Sequence, residues 1–390
     1  MRIALILPGG VDRSGTERVI PVFLWLIERL ARRHRVTVIA LSQYPHPCTY
    51  PLLGATVYNL GNPPTLPFGW IPYHLKQIGE IEKKVGGFDV IHAFWGGKTA
   101  WLAGCYGKIR GIPNSVSFCG GELVGLRSVG YGAQLSWKGR LMVKQVLNWA
   151  NHLTTQSRTM QDLIATRGCH AEVLPFGVDE RCFGARNTGR GTKKRLLQVA
   201  SLNPVKDQTT LLHAMAKVIK EISRVHLDIV GEDTLGGTIQ ALAHDLKLDE
   251  HVTFHGFLPQ AKVRSFYQGA DLFVLTSRHE AGPVAVLEAA ACAVPTVGSR
   301  VGHLADWDGR EGVGVPVADP DALAEAIMAL LHNPTRRLAM GRVAHQWATY
   351  YSADFTAHRF EEIFATLIAN PRAKIERGVG GKVQEVPLDR

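Results

Sequence analysis

The chain has 390 residues, which allows two or three domains, and 46% of its residues are hydrophobic, enough for large buried cores. No apolar run approaches the ~20 residues of a membrane span, and six scattered cysteines without a Cys-x-x-Cys pair argue against a disulfide framework and a zinc site. The formal net charge is +10, but the sequence carries no recognised nucleic-acid-binding motif, so we expect no nucleic acid partner.

Strand-like and helix-like segments alternate through the first half of the chain. The opening RIALILP predicts a buried strand, because it is too short for a signal-peptide core and runs straight into glycine and charge. An amphipathic helix is predicted for residues 17–33 and an apolar helix for residues 99–107. Ser157 is expected to cap a helix over residues 159–166. Further segments with strand character are 34–41, 88–95, 113–121 and 171–178.

The alternation restarts after a Gly-rich basic stretch, residues 184–195, which predicts an interdomain linker. Alternating strands and helices imply parallel, doubly wound sheets. We therefore predict an α/β protein with two Rossmann-like domains, residues 1–183 and 196–351. A helix over 352–370 is expected to pack back on the N-terminal domain, and 371–390 predict a flexible tail. Strand patterns of the second half lie at 195–201, 225–231, 251–257, 271–277, 294–299 and 312–317, and helix patterns at 207–222, 237–248, 284–293 and 321–333.

The most informative segment joins a predicted buried strand to an Ala-rich helix. It contains Glu280 and Glu288, eight residues apart, with Gly282 and Pro283 at the helix start. In open α/β sheets, ligands bind beyond the carboxyl ends of the strands. A helix start offers free N–H groups to a phosphate, and carboxylates accept hydrogen bonds from hydroxyls. The segment therefore predicts a nucleotide-sugar site; two solvated helix glutamates are the alternative interpretation.

Three further residues fall at predicted strand ends. Lys206 lies between a strand and a helix of the second half, Gly15 precedes the first helix, and His92 lies near the end of a strand. Each has an ordinary interpretation when taken alone. Lys206 would be a surface lysine, Gly15 would belong to a turn capped by Ser14 or Thr16, and His92 would be a packed histidine.

With these segments the chain resembles, over nearly its whole length, a retaining nucleotide-sugar glycosyltransferase of the GT-B fold, glycosyltransferase family 4. The resemblance implies two Rossmann-like domains that face an interdomain cleft. It implies that Glu288 binds the ribose hydroxyls and that Glu280 contacts the donor sugar near the reacting carbon. Backbone N–H groups at Gly282 and Val284 are expected to hold the sugar and phosphates. Pro283 departs from the common family turn, because proline donates no N–H.

The resemblance also assigns residues near the leaving diphosphate. Lys206 matches a phosphate-neutralising lysine, whereas Ser201 stands where the family has an arginine. Arg278 and Arg300 are candidates to compensate for that missing cation. His92 is expected to hydrogen-bond a donor-sugar hydroxyl or to face the reacting centre.

The remaining assignments are to loops. Gly15 is expected to let the backbone approach the donor phosphates, and Phe257 to flank the nucleobase. Gly121 and Glu122, at a strand end of the first domain, are expected to meet the acceptor. For the Phe257 and Gly121 loops a plain structural turn is an equal alternative.

The reaction predicted is transfer of a sugar from a UDP-, GDP- or ADP-sugar to an acceptor hydroxyl with retention, in polysaccharide, glycolipid or other glycoconjugate synthesis. No cofactor and no metal are expected, because a cationic site makes a divalent ion dispensable. The acceptor is expected to be a glycan, a lipid-linked molecule or a small molecule.

The expected location is cytoplasmic and peripheral at the inner membrane face. Residues 1–183 hold 20 Lys and Arg against 11 Asp and Glu, so this half favours an anionic membrane or an acidic acceptor, with a merely soluble basic surface as an equal interpretation. Residues 135–149 are basic and aromatic, which suits a membrane surface but also an ordinary amphipathic helix.

Three other functions are consistent with the sequence. A GT-B-like nucleotide-sugar epimerase would convert the donor without an acceptor. A non-catalytic nucleotide-sugar-binding protein is consistent with Ser201 in the arginine position. An NAD-dependent dehydrogenase is suggested by LPGG after the first strand, although the GxGxxG fingerprint is absent there.

Overall fold

The computed structural model describes residues 1–63, 69–184, 193–307 and 309–371, and within them the chain forms two α/β domains. The first-domain strands are β1 (Arg2–Leu7), β2 (Arg35–Ala40), β3 (Cys48–Leu52), β4 (Ala55–Asn59), β5 (Val90–Phe94), β6 (Asn114–Phe118), β7 (His152–Thr155) and β8 (Glu172–Val173). The first-domain helices are α1 (Pro21–Ala31), α2 (Trp70–Val85), α3 (Lys98–Arg110), α4 (Trp137–Trp149) and α5 (Arg158–Ala165).

The first-domain strands form one sheet in the order β3-β4-β2-β1-β5-β6-β7-β8. Neighbouring strands are parallel from β4 onward, whereas β3 runs antiparallel to β4 at the sheet edge. The sequence analysis did not predict this edge hairpin or the α2 helix. Two strands joined by Leu53 and Gly54, both with positive φ, form a tight turn that extends the sheet past its parallel part.

The second domain is a parallel sheet in the order β11-β10-β9-β12-β13-β14. The strands are β9 (Lys194–Val199), β10 (Val225–Val230), β11 (Val252–Phe254), β12 (Leu272–Leu275), β13 (Thr296–Ser299) and β14 (Gly312–Val315). The helices are α6 (Gln208–Glu221), α7 (Thr238–Asp245), α8 (Gln260–Gly269), α9 (Val284–Ala291), α10 (His303–Asp306), α11 (Pro320–His332), α12 (Pro334–Tyr350) and α13 (Ala353–Ala369). The predicted α/β class with two Rossmann-like domains is confirmed.

The first helix is shorter than predicted. Helix α1 begins at Pro21, so residues 17–20 lie in the preceding loop. Ile20 is extended, with φ −107° and ψ 105°, because the residue before a proline is driven out of the helical region. Val19 instead makes an isolated bridge to Val11.

The last helix returns to the first domain. Helix α13 contacts α1 and β5, and Asp354 at its start pairs with the buried Arg29 of α1 at 2.8 Å. Phe360 and Phe364 of α13 are fully buried and extend the core. Helix α13 begins at Ala353, one residue after the predicted start at 352, and α12 ends at Tyr350.

The predicted domain boundaries stay predictions. Most of the linker assigned to 184–195 and nearly all of the tail assigned to 371–390 lie outside the described residues. Among the described helices, none has both the length and the apolar character needed to cross a membrane.

Candidate active site

Two residues predicted from separate segments meet at the carboxyl edge of the second sheet. Lys206 lies on the loop between β9 and α6, and Glu280 on the loop between β12 and α9. Because β9 and β12 are neighbours in the sheet, these loops lie side by side. The Lys206 Nζ is 2.5 Å from Glu280 Oε1, and the Ser277 hydroxyl donates to the same oxygen at 2.6 Å. A cation and an anion are thus held together at the sheet edge where the sequence predicts a ligand.

A cavity of about 170 Å³ lies beside this pair. Lys206 and Glu280 line it together with Gly282, Pro283 and Val284 at the start of α9. Pro283 precedes the first helical residue with φ −69°, which suits a helix start, and it has no N–H to offer. The Val286 amide donates to the Pro283 carbonyl at 3.1 Å, whereas the amides of Val284 and Ala285 precede any acceptor within the helix. The cavity therefore combines an ammonium group, a helix N-terminus and a carboxylate.

Glu288 lies one turn further along α9 and is buried. The Tyr267 hydroxyl donates to its Oε2 at 2.7 Å, and the Gln260 amide donates to its Oε1 at 3.1 Å. Burial raises the pKa of Glu288, while these two hydrogen bonds lower it by less. Its carboxylate is thus fixed in place by α8, but it does not line the cavity beside Lys206.

The loop that carries Glu280 is held by the first domain on two sides. The Ser157 hydroxyl donates to the Ala281 carbonyl at 2.6 Å, and the His279 ring donates through Nε2 to the Gly120 carbonyl at 3.2 Å. The expected helix-capping bond of Ser157 is wrong: its side chain makes no such bond to α5, because the hydroxyl is used across the cleft.

Gly282 has a steric reason to be glycine. A Cβ atom built on it would lie 2.3 Å from the Cβ of Gln156 in the first domain and 3.1 Å from Nε2 of His303. Such separations are well inside van der Waals contact, so any side chain would push the two domains apart at this point. Gly282 therefore allows the two domains to approach each other closely at Gln156.

The expectation that His92 faces the donor sugar is wrong. His92 is fully buried in β5, with Nδ1 2.7 Å from the Ser115 hydroxyl and Nε2 3.2 Å from the Ser117 hydroxyl. Its ring packs against Phe360 and Phe364 of α13. Burial lowers the pKa of His92 to about 3, so the ring is neutral. The side chain points to the sheet face that the returning helix covers, rather than out of the strand end.

Glu122 is likewise a structural residue in this fold. Its buried carboxylate accepts hydrogen bonds from the amides of Gly96 at 2.9 Å, Cys119 at 3.2 Å and Gly120 at 2.7 Å. The carboxylate therefore holds two strand-end loops together, and its expected contact with the acceptor stays a prediction. Gly121 beside it packs on Tyr131, whose ring would lie 2.5 Å from an added Cβ.

The remaining predicted positions lie on loops. Gly15 has φ 67° and donates its N–H to the Asp12 carbonyl in the loop before α1. Ser201 is half-buried, and its carbonyl accepts from the Gln208 side chain at 3.2 Å. Phe257 is 58% exposed after β11. Their assigned contacts with a donor stay predictions.

Neither arginine proposed to replace the missing cation is free. Arg278 Nε lies 2.7 Å from the buried carboxylate of Asp207. Arg300 donates to the Gly314 carbonyl at 3.0 Å. Lys206 is therefore the cation that lines the cavity.

Tyr131 was missed by the sequence reasoning. Burial, with smaller contributions from the negative charges of Glu280 and Glu122, raises the pKa of Tyr131 to about 12, and its ring lies 6.1 Å from that of His279. Nothing in the sequence around Tyr131 signals this, because the residue reaches the site from the first domain. His279 could have been noticed from the sequence, because it directly precedes Glu280.

Two family models match the chain: the glycosyl transferase 4-like domain over residues 19–177, and glycosyl transferases group 1 over residues 185–347. The second match contains Lys206, Glu280 and Glu288. The chain is a glycosyltransferase whose residues 185–347 belong to the glycosyl transferases group 1.

Two relatives are named as glycosyltransferases. The chain is 29% identical over 243 residues to a GDP-mannose-dependent alpha-(1-6)-phosphatidylinositol monomannoside mannosyltransferase of Mycolicibacterium smegmatis, covering 56% of this chain and 64% of the relative. That match spans just under two thirds of the relative. It is 26% identical over 375 residues to a D-inositol 3-phosphate glycosyltransferase of Acidothermus cellulolyticus, covering 85% of this chain and 80% of the relative.

Solved structures with the same fold support the architecture. A sucrose-phosphate synthase from Thermosynechococcus elongatus superposes with a TM-score of 0.79 at 20% identity, over 95% of this chain and all of the other. The Anabaena protein HepE, solved with UDP and glucose, superposes with a TM-score of 0.73 at 16% identity, over 94% of this chain and all of the other. The glycosyltransferase therefore has the GT-B fold, as the sequence analysis predicted.

Proposed function

We propose that this glycosyltransferase moves a sugar from a nucleotide diphosphate sugar to an acceptor hydroxyl with retention of configuration. The observation that carries the proposal is the Lys206–Glu280 pair at 2.5 Å beside the start of α9. A donor of this class has a diphosphate and a polyhydroxylated ring. Lys206 and the helix start can bind the diphosphate, and Glu280 can accept hydrogen bonds from the ring hydroxyls.

The proposed reaction develops negative charge on the diphosphate and positive charge on the sugar. The bond from the anomeric carbon to the diphosphate oxygen breaks, and its electron pair stays on the diphosphate. The acceptor oxygen bonds to the anomeric carbon, and its proton passes to the departing diphosphate. Lys206 and the first-turn amides of α9 stabilise the leaving diphosphate, and each such preorganised donor is typically worth ~3 kcal/mol of barrier. Glu280 positions the sugar and offsets its developing positive charge.

The other donor contacts are proposed from the family resemblance. Glu288 would bind the ribose, with Tyr267 and Gln260 holding its carboxylate in place. Gly15 and Ser201 would lie near the diphosphate, and Phe257 near the base. A metal is not required in this scheme, because Lys206 and the helix start supply the positive charge.

We further propose that the enzyme works at an anionic membrane surface. Trp137 and Leu141 lie one turn apart on α4 and are 63% and 48% exposed. Lys138, Arg140 and Lys144 of the same helix are also exposed. Exposed apolar side chains beside lysine and arginine suit insertion among anionic head groups. One relative named above acts on a phosphatidylinositol derivative, which supports a lipid-linked acceptor.

A donor screen tests the proposed reaction. Purified protein is melted with UDP-, GDP- and ADP-sugars, and a donor at ~100 times its dissociation constant should add about 2.7 kcal/mol to the free energy of unfolding. The stabilising donor is then incubated with acceptors, and the anomer formed is read by NMR. Glu280→Gln should abolish transfer, whereas Glu325→Gln on the exposed face of α11 should not. Donor conversion without an acceptor would show an epimerase, and binding without turnover would show a non-catalytic protein.

Vesicle sedimentation tests the membrane surface. Leu141→Ser should reduce binding to anionic vesicles, whereas Leu338→Ser, a leucine of similar exposure on α12, should leave it unchanged. Equal binding to neutral and anionic vesicles would contradict the proposal.

A further inference from the structure

The loop that carries Lys206 is held at three consecutive residues by the neighbouring loop. The Val205 carbonyl accepts from the Arg278 amide at 2.7 Å, and the Lys206 carbonyl accepts from the Thr276 hydroxyl at 2.8 Å. The Asp207 carboxylate lies 2.7 Å from the Arg278 guanidinium group. Both partner residues lie on the loop that follows β12 and leads to α9. Arg278 therefore makes two of the three contacts that fix the backbone around Lys206.

Asp207 has a backbone conformation that is uncommon for a residue with a side chain. Its φ is 50° and its ψ is 52°, in the left-handed region, which persists only where the surroundings compensate for the strain. The carboxylate accepts from the Thr210 amide at 3.3 Å and from the Thr210 hydroxyl at 2.8 Å, so it caps α6. Because Asp207 directly follows Lys206, its conformation sets the direction in which the Lys206 side chain leaves the loop.

The contact between Asp207 and Arg278 is a matter of charge. The Asp207 side chain is 4% exposed and that of Arg278 is 32% exposed. The buried Nε of Arg278 lies close to the carboxylate but makes no hydrogen bond of good geometry to a described residue. A buried carboxylate without a partner cation is strongly unfavourable, and one beside Lys206 would attract its ammonium group. Arg278 neutralises this second negative charge, which leaves the ammonium group to Glu280 and the cavity.

We propose that Arg278 is a positioning residue for Lys206. Its guanidinium group fixes Asp207 and cancels the carboxylate charge, so that the Lys206 ammonium group stays beside the start of α9. Arg278 itself does not line the cavity, so it acts through Lys206 and does not replace the cation that is missing at Ser201. The inference rests on the proposed function, in which Lys206 faces the leaving diphosphate.

Steady-state kinetics of Arg278 variants test this role. Arg278→Gln should lower kcat by about 10- to 100-fold, because displacing a reacting group by about 1 Å costs up to that much. KM for the donor should change much less, since the Lys206 contact strengthens as the diphosphate leaves. Arg278→Lys keeps the positive charge and should recover part of the loss. Arg195→Gln is the matched control, because Arg195 also pairs with a buried aspartate, Asp228, but lies near the start of β9.

The same change in a Lys206→Met background decides whether Arg278 acts through Lys206. With the ammonium group removed, Arg278→Gln should have little further effect on kcat, because the group it positions is gone. Additive losses in the double variant would overturn the inference and indicate that Arg278 contacts the donor directly.

An Asp207→Asn background covers the case in which Arg278→Gln does not fold. Asparagine tolerates the left-handed conformation and can cap α6, but it carries no charge. The double variant therefore has no unpaired buried carboxylate, and thermal melts check that it folds. Arg278→Gln should cost no further activity in this background, whereas a full 10- to 100-fold loss, the estimate of about 1 Å displacement, would overturn the inference.

Binding of UDP, GDP and ADP separates this inference from the proposed function. A free nucleoside diphosphate carries the charge that develops in the reaction, so calorimetric titration should show weaker binding in Arg278→Gln. The weakening should disappear in the Lys206→Met background. A protein that shows this coupling but transfers no sugar refutes the proposed function and keeps the inference. Equal weakening in both backgrounds, in a protein that does transfer sugar, overturns the inference alone.

Discussion

Lys206 and Glu280 are 74 residues apart in the chain, and their side chains meet at 2.5 Å. The contact exists because β9 and β12 are neighbours and both loops leave the same sheet edge. The Glu280 carboxylate fixes the position of the Lys206 ammonium group beside the start of α9. In the proposed reaction this ammonium group faces the leaving diphosphate.

Lys206→Met is expected to lower kcat by about 100- to 1,000-fold, the usual loss for one oxyanion-stabilising donor. KM for the donor should change much less, because the interaction strengthens as the diphosphate leaves. Steady-state kinetics measure both, with Lys220→Met on the exposed face of α6 as control. A loss confined to KM would show that Lys206 only binds the donor.

Gly282→Ala is expected to hold the cleft open, because the new Cβ would lie 2.3 Å from the Gln156 Cβ. Activity should fall strongly, and the second change Gln156→Gly should restore part of it by removing the opposing atom. Gly269→Ala is the matched control, since nothing lies within 4 Å of its added Cβ. A double-mutant cycle measures the coupling. Purely additive losses would contradict a steric contact across the cleft.

His92→Ala is expected to destabilise the protein without removing transfer. The change leaves the Ser115 and Ser117 hydroxyls without their partner and opens a space beneath α13, at a cost of about 2–5 kcal/mol. Urea unfolding measures the loss, and kcat measured well below the transition should stay within a few fold of wild type. A fall in kcat without loss of stability would restore the catalytic role that the fold argues against.

Glu172 makes the contact between α13 and the first domain dependent on pH. Burial alone raises the pKa of Glu172, but the nearby His152, 3.3 Å away, and the hydrogen-bonded Arg359 outweigh it and lower the pKa to about 2. Arg359 of α13 donates to both carboxylate oxygens, at 2.6 and 3.1 Å. The folded pKa lies below the usual value of 4.5, so the contribution to stability is full above pH 4.5 and is lost as pH falls toward 2.

The matching experiment compares thermal melts of wild type and Glu172→Gln from pH 7 to pH 3. The difference in melting temperature should be largest at neutral pH and should shrink below pH 4.5. Glu362→Gln is the control, because Glu362 also pairs with Arg359 but is 46% exposed. A difference that is constant with pH would show that the Glu172 charge contributes nothing.

Periodicity and strand-end chemistry were enough to predict much of this enzyme. Alternating apolar strands and helices indicate two parallel sheets, because a buried parallel strand needs a continuous apolar run. Glu280 was found because it lies between such a run and a helix start, whereas the role of Lys206 was assigned from the family resemblance. Local sequence thus determined the two domains and the strand edge, and the resemblance added the second charge.

Only the tertiary structure decided which side chains face the cleft. His92 and Lys206 both lie near strand ends, yet α13 returns from the far end of the chain and buries His92. Glu122 is committed to three backbone amides by loops that no local pattern brings together. The Ser157 hydroxyl donates to the Ala281 carbonyl of the other domain instead of capping α5. Local patterns determine where a strand ends, whereas burial and hydrogen bonding between distant segments determine which polar groups remain free to act.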